Sequence, residues 1–405
     1  MEIPFLNIDF STWTTLEYVI GSVLTVCFIY QLYFAVRYLA GVNRYSRHLR
    51  RKQTQAANAA TCSTPTEDST TTALPSVSVL VCARNEAYNL ETFLTSLLEQ
   101  DYPDFEVIVV NDGSEDSTQE VLERLCLLYK NLHITFVPQG ARVGSTKKLA
   151  LTLAAKAAHN DILLLTDADC RPVSPQWIRH IASAFDENTE IVLGYSAYFE
   201  KPTMLSRLIS YDTLFNGLQY LGMALSRHPY MGVGRNLAYR RQTFFNHKGF
   251  AGMLGVKAGD DDLFVNRIAT RHNTRVVVDA DSVVWSVPKS SFPEWHQQKE
   301  RHLSVSPLYK ASSKLRLTLE PVTRGLLYAA AIAAAFIPNP LLWTAAGVTL
   351  VSRWIWLWAI INRSARHFRQ RRTGIELILF DIFLPLNNLC QHITLALFPK
   401  RHNRW

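Results

Sequence analysis

Ile162-Leu163-Leu164-Leu165-Thr166-Asp167-Ala168-Asp169-Cys170 runs from four consecutive apolar residues into two carboxylates spaced i, i+2. An apolar run this short fits a strand buried on both faces, as in a parallel sheet covered by helices. Strand geometry puts Asp167 and Asp169 on one face. At the carboxyl end of a parallel strand they would border the crevice where α/β sheets bind ligands. Two hard oxygen ligands there suit Mg²⁺ or Mn²⁺ held against a diphosphate. Taken alone, the same letters also describe a strand running into a polar turn, so the flanking sequence has to decide.

Upstream, Val77 to Cys82 reads as a strand followed by Ala83-Arg84-Asn85-Glu86. Leu90, Phe93, Leu94 and Leu97 then share one face of a helix over 88–100. Phe105 to Val110 is a second apolar strand, ending in Asn111-Asp112-Gly113-Ser114-Glu115-Asp116-Ser117. Ser117 with Glu120 predicts a capping box for a helix through Leu128. A short strand over His133–Val137 and a helix over Lys147–Ala158 lead back to the opening strand. Beyond it, Ser174-Pro175 predicts a helix start, with an N-cap serine and an N1 proline. Residues 260–271 and 291–304 read as helices flanking a strand from Arg275 to Ser286. The alternation predicts an α/β fold, a mostly parallel sheet with helices on both faces.

The chain has 405 residues, 48% of them hydrophobic, and a formal net charge of +8. That excess could serve nucleic acid or an anionic membrane surface. Its placement excludes nucleic acid. Arg44, Arg47, Arg50, Arg51 and Lys52, then Arg363, Arg366, Arg369, Arg371 and Arg372, then Lys400, Arg401 and Arg404 each follow a long apolar run, the positive-inside pattern. The six cysteines are scattered without a CxxC pair, which predicts reduced, mostly buried thiols and no metal cluster.

Trp13 to Ala40 is long and apolar enough to span a bilayer, and too long for the core of a cleaved signal. Residues 53–75 lack hydrophobic period and predict a flexible linker or poorly ordered loop. Residues 203–225 are apolar but interrupted by Arg207, Asp212, Asn216 and Gln219, which predicts an amphipathic helix lying on the membrane or on the core. Leu326–Ile337 and Leu341–Ile361, separated by Pro338-Asn339-Pro340, predict a membrane hairpin. Ile375–Phe398 is long enough to cross, but Glu376, Asp381, Asn387, Asn388 and Pro385 favour a kinked or re-entrant segment unless buried against protein. The resulting division is an N-terminal transmembrane helix over 1–42, a basic juxtamembrane segment and linker over 43–75, a catalytic domain over 76–305, and a C-terminal membrane region over 306–405.

Val81-Cys82-Ala83-Arg84-Asn85-Glu86, Val109-Val110-Asn111-Asp112-Gly113-Ser114-Glu115-Asp116-Ser117 and Thr166-Asp167-Ala168-Asp169, in this order, resemble the family 2 inverting glycosyltransferases over about residues 76–305. The nearest resemblance is to the membrane-anchored group of hyaluronan and chitin synthases and ceramide glucosyltransferase. It implies a nucleotide-diphospho-sugar transferase sheet, with Arg84, Glu86, Asp112, Lys147 or Lys148, Asp167 and Gln298 on the donor side. Asp112 would meet the base of the sugar nucleotide, and its competing reading is an Asx turn at Asn111-Asp112-Gly113. Asp169, helped by Asp167, would bind Mg²⁺ or Mn²⁺.

Gly259-Asp260-Asp261-Asp262-Leu263-Phe264-Val265-Asn266-Arg267 resembles the stretch that supplies the family's base, which implies that role for Asp261, with Asp260 as the alternative alignment. Three adjacent carboxylates also repel one another, which raises the proton affinity of at least one. Gln298-Lys299-Glu300-Arg301-His302 resembles the family's QxxRW motif. That resemblance implies Arg301 on the leaving group and Gln298 also lining the acceptor channel. His302 replaces the tryptophan on which polymerising members stack their product, and nearby Trp295 is a possible substitute. Gly232-Val233-Gly234-Arg235-Asn236 lacks the third glycine of a dinucleotide loop; the resemblance puts Gly234, Arg235 and His302 near the acceptor.

These readings lead to an integral protein of the inner, cytoplasmic membrane with its catalytic domain in the cytoplasm. It would transfer a hexose or N-acetylhexosamine from a nucleotide diphosphate sugar, UDP-linked, to a lipid or glycan acceptor. The alternatives are a processive polysaccharide synthase, which product length would reveal, and a non-catalytic scaffold that binds sugar nucleotide, which the intact acidic set opposes.

Overall fold

A computed structural model of the chain describes residues 13–62, 74–138, 145–256 and 258–397. Within them lie ten strands: β1 Val77–Ala83, β2 Phe105–Asn111, β3 Leu132–Phe136, β4 Ile162–Asp167, β5 Cys170–Pro172, β6 Ile191–Leu193, β7 Ser196–Tyr198, β8 Leu237–Arg240, β9 Thr274–Val276 and β10 Val284–Ser286. Seven form one sheet in the order β3-β2-β1-β4-β8-β6-β9; β5, β10 and β7 form a smaller one. β1 to β4 are parallel, β8 runs against both β4 and β6, and β6 and β9 are parallel. The mostly parallel α/β sheet is present as expected.

Ile162 to Leu165 are each at most 1% exposed, and each buried side chain contributes about 2 kcal/mol. Register then sets the site. Ala83 pairs with Asn111 and Cys82 with Asp167, so the chain leaves β1, β2 and β4 at one edge.

Local chemistry departs from the pattern in several places. Asp116, not Ser117, holds the start of the helix Thr118–Leu128: its Oδ1 accepts the Thr118 backbone N–H at 3.0 Å and the hydroxyl at 2.5 Å. Ser174 accepts from the Gln176 N–H at 3.1 Å, forming a turn, and the helix begins at Trp177. The long strand expected over Arg275–Ser286 is two short ones. Asp279 accepts from the Asp281 N–H at 2.9 Å and starts a 3₁₀ turn between them.

The helix Met204–Leu225 is buried around most of its circumference and is a core element rather than an amphipathic surface helix. Its buried acid at Asp212 is satisfied within the protein. Lys299 donates to both Asp212 oxygens at 2.9 Å, and Asn216 donates to Asp212.

The helix Thr15–Phe34 continues through a π turn, Ala35–Leu39, into Ala40–Cys62. Residues 53–62, expected to begin a linker, are therefore helical; their Gln- and Ala-rich composition favours this. The remainder of that linker, 63–73, lies outside the described residues, as do Lys400, Arg401 and Arg404. At the π turn the helix meets Met204–Leu225 backbone to backbone. A Cβ on Gly222 would lie 2.0 Å from the Tyr38 carbonyl oxygen.

Among the described residues, two helices are long and apolar enough to cross a membrane, Thr15–Lys52 and Pro340–His367. Pro340–His367 is the second arm of a hairpin whose first arm is Ala311–Ala335. Asn339 in the turn donates to Glu17 at 2.7 Å, so the start of the first helix lies beside the hairpin tip. Glu376–Leu397 is continuous through Pro385.

The costly acids expected in this region are satisfied by protein. Asp381, wholly buried, takes Arg353 in a bidentate pair and Arg324 at 3.1 Å; Arg324 also meets Glu320 at 3.0 Å. Gln31 accepts from Arg353 at 3.2 Å and donates to the Glu320 carbonyl at 3.0 Å, so the first helix joins the other three. Two acids and two arginines leave this cluster neutral. Breaking one partner of a buried pair strands the other charge, at a cost of about 3–5 kcal/mol. Asp381→Asn should therefore lower the thermal midpoint of the detergent-solubilised protein by several degrees, while Asp281→Asn at the exposed Arg369 pair should leave it nearly unchanged.

Candidate active site

The loop after β1 and the loop after β2 are stitched together. Asn85, at φ +55°, donates from its backbone to the Ser114 hydroxyl at 3.0 Å, and its side chain accepts from the Glu115 N–H at 2.8 Å. Asn111, not Asp112, makes the turn, since its Oδ1 accepts from the Ser114 N–H at 3.0 Å. That leaves the Asp112 carboxylate out of the loop's own hydrogen bonding. Arg84 is exposed beside it. Glu86 is tied to Asn89; desolvation raises its pKa, and the charges of Asp169 and Asp167 add to the shift.

Asp167 ends β4 and Asp169 lies in the turn that follows, and here the structure brings the predicted residues together. Lys147, at the start of the helix Thr146–Ala157, reaches Asp167 at 2.8 Å and Asp260 at 3.4 Å. One ammonium thus links the strand-end pair to the acidic triplet. Desolvation opposes its charge, but Asp167 and Asp260 outweigh it and hold the pKa above its ordinary value. Desolvation likewise pushes Asp167 up, and Lys147 more than reverses this. Asp169 makes no ion pair among the described residues, and the charge of Arg235 only partly favours its ionised form. Its carboxylate accepts from Ser286 Oγ at 2.9 Å, yet desolvation and the charge of Asp167 raise its pKa.

Ligand atoms of Asp167, Asp169 and Cys170 lie within 4.8 Å of one another. Burial keeps the Cys170 thiol protonated, its pKa well above the ordinary range. The donor set is then two carboxylates, hard oxygens that fit Mg²⁺ or Mn²⁺. A divalent cation would also offset the mutual repulsion that Lys147 leaves uncompensated at Asp169.

Asp261 is held by two backbone donors, Gly234 N–H at 2.7 Å and Asp262 N–H at 2.8 Å. Gly259 makes the approach with φ +85°, a conformation in which a Cβ would meet Leu263 at 2.5 Å. Desolvation, then repulsion from Asp260 and Asp262, push the Asp261 carboxyl up to about 7. This is the behaviour expected of a general base working near neutral pH.

Arg235 stacks its guanidinium over the Tyr198 ring at 4.1 Å, and Gln298 donates to the Tyr198 hydroxyl at 3.1 Å. Arg301 and His302 are exposed on the helix Phe292–Leu303. Desolvation of the ring, with the charges of Arg301 and Lys299, lowers the His302 pKa to about 4 and keeps the imidazole neutral. Trp295, considered as a substitute for the missing tryptophan, is 3% exposed and belongs to the hydrophobic core, with the exposed Phe292 ring beside it.

Lys148 also departs from the donor role. It is wholly buried and donates to the backbone carbonyls of Met253, Val256 and Ala258. Adjacent helix positions point about 100° apart, so only one of the two lysines meets the cleft. Lys148 instead holds the loop leading into the triplet. Tyr198 and Ser286 were not foreseen, because each lies on a three-residue strand that carries no sequence signal.

Residues 78–254 match the family described as Glycosyl transferase family 2. The match ends before the Asp260–Asp262 triplet and Arg301. Glycosyltransferase AglE of Haloferax volcanii is 29% identical over 36% of this chain and 47% of its own length. Probable glycosyltransferase YdaM of Bacillus subtilis is 24% identical over 56% of this chain and 54% of its own. The chain spans about half the length of these relatives. The mannosyltransferase PcManGT of Pyrobaculum calidifontis, solved with GDP-Man and Mn²⁺, superposes with a TM-score of 0.51 at 22% identity. The superposition covers 87% of this chain and 99% of that one, which shows a common fold.

Lys148→Met should leave three carbonyls without a donor, at about 1–3 kcal/mol for each unsatisfied buried group. Faster backbone hydrogen exchange over 250–258 is the expected outcome, with smaller changes around β1 and β2.

Proposed function

We propose that the chain is an inverting, membrane-anchored glycosyltransferase. It transfers a hexose or N-acetylhexosamine from a nucleotide diphosphate sugar, UDP-linked, to a hydroxyl of a lipid or lipid-linked acceptor at the cytoplasmic face of the inner membrane. The observation that carries this reading is the Asp261 carboxylate, oriented by two backbone N–H groups, with a pKa raised to about 7. Asp261 takes the proton of the acceptor hydroxyl as its oxygen attacks the anomeric carbon. The new C–O bond forms on the face opposite the departing diphosphate, which leaves with the electron pair of the broken bond. Arg301 offsets the charge that develops there, Lys147 lies between the two acidic groups, and Asp112 accepts from a ring N–H of the base. A divalent cation held by Asp167 and Asp169 would supply further charge compensation for the diphosphate.

Arg235 and Gly234 border the acceptor side. His302 at the cleft and Trp295 in the core support a single transfer over a processive one. The long apolar helices support anchoring of a catalytic domain over 76–305, and exposed Arg44, Arg47 and Arg50 beyond the first apolar run support its cytoplasmic placement.

The test is a panel of UDP-glucose, UDP-galactose, UDP-N-acetylglucosamine and GDP-mannose with Mn²⁺ and membranes, with lipid products read by mass spectrometry. Asp261→Asn should lower turnover by roughly 10²–10⁴-fold, the usual worth of a general base; wild-type turnover in that variant sinks the reading. The base works deprotonated, so wild-type rate should rise with pH through about 7 and fall away below it. Asp169→Asn should weaken Mn²⁺ binding, measured by electron paramagnetic resonance without donor, by at least about tenfold.

A further inference from the structure

We propose that Tyr309 is a positioning residue for the base, acting through Asp262 and joining the acidic triplet to the C-terminal helices. This rests on the reading of Asp261 as the base. Tyr309 lies between the 3₁₀ turn Ser306–Leu308 and the helix Ala311–Ala335. Its hydroxyl donates to Asp262 Oδ2 at 2.5 Å, in a contact buried from solvent. The other Asp262 oxygen accepts from the Leu263 N–H at 2.7 Å, so the side chain is held at both ends.

A second set of bonds runs in parallel. Asn266 Oδ1 accepts the Lys310 backbone N–H at 2.8 Å, while its Nδ2 donates to the Tyr230 carbonyl at 2.8 Å and the Ser313 hydroxyl at 3.3 Å. The Tyr230 and Tyr309 rings lie 6.3 Å apart. Residues 309–313 therefore grip the segment 262–266 at two points one helical turn apart.

Asp262 is 3% exposed, and no cation pairs with it among the described residues. Burial raises the Asp262 pKa to about 6, and the phenol donor is the largest of the influences that counter it and favour the charged form. A charged Asp262 does two things for Asp261: its backbone N–H fixes one Asp261 oxygen, and its charge helps keep the Asp261 proton affinity high. Other groups facing the pair are Asp260 and Lys147 on the cleft side, Lys148 beneath the loop, Tyr220 on the helix Met204–Leu225, and Tyr230. Tyr309 alone among them donates to Asp262 through a side-chain hydroxyl.

Tyr309→Phe keeps the ring and removes the donor. Asp262 then binds a proton more readily, its repulsion on Asp261 weakens, and Asp261 ionises at lower pH. With the donor turned over in the panel above, the acidic limb of the kcat profile should move down by about half a pH unit or more, kcat should fall on the order of tenfold, and donor KM should change less than about twofold. In the full-length, ligand-free protein in detergent, hydrogen exchange over 259–266 should quicken. A fall in rate with an unmoved acidic limb and unchanged exchange overturns the proposal. Should Tyr309→Phe fail to fold, Asp262→Asn, which removes the charge and keeps the shape, must give the same downward shift; an unshifted limb there also overturns it. If no donor is turned over by the wild type, the reading of Asp261 as base fails, and the exchange measurement still decides the clamp.

Discussion

A single ammonium between Asp167 and Asp260 is the interaction on which the candidate site depends. The fold converges five carboxylates from two parts of the chain on one edge of the sheet: the pair at the end of β4 and the triplet beyond β8. Without a cation between the two groups their repulsion would push the loops apart. Lys147 supplies that charge while keeping 44% of its side chain exposed, so it stays available to an incoming diphosphate. Its neighbour Lys148 does the opposite work, buried and spent on three carbonyls. Two adjacent lysines thus serve a binding surface and a loop frame, and the rotation of about 100° between them decides which does which.

The parts of the fold written in long-range pattern were legible. Apolar runs of strand length and helical spacing located β1, β2, β4 and the helices between them, because burial on both faces demands such runs. Short elements were not legible. β5, β6, β7 and β10 have three residues each, too few to show a period, and they pair through neighbours distant in sequence. Helix starts were read from the commonest residue types, and the cap at Thr118 went to Asp116, the carboxylate one position earlier. The helix Met204–Leu225 looked amphipathic because its polar residues were counted as exposed. Lys299, 87 residues away, is what lets Asp212 be buried.

The candidate site shows the same division. Acidic groups at strand ends were readable from position alone, and the structure brings Asp167, Asp260 and Lys147 into contact. The polar frame behind them was not readable. The Ser286 hydroxyl on Asp169 and the Tyr309 phenol on Asp262 come from segments with no motif, and the Gly234 stretch was read for the acceptor rather than for the backbone N–H that orients Asp261. Trp295 shows the converse, a residue type suited to sugar stacking whose helical phase turns it into the core. In the helical region, Asp381 looked too costly to bury until Arg353 and Arg324 were seen around it, one from each arm of the hairpin.

Gly222 lets the helix Met204–Leu225 touch the first helix at its π turn with no side chain between them. In mechanical terms this removes a swivel. The catalytic sheet rests on one side of Met204–Leu225, so its height and heading relative to the N-terminal rod are set by a direct backbone seat rather than by a tether. For an anchored enzyme the cleft then stands at a constant elevation above the bilayer. A lipid acceptor of the kind proposed would then have to arrive by lateral diffusion with its reactive hydroxyl already at that level, and the spacer between lipid and hydroxyl would act as a ruler that selects among such acceptors.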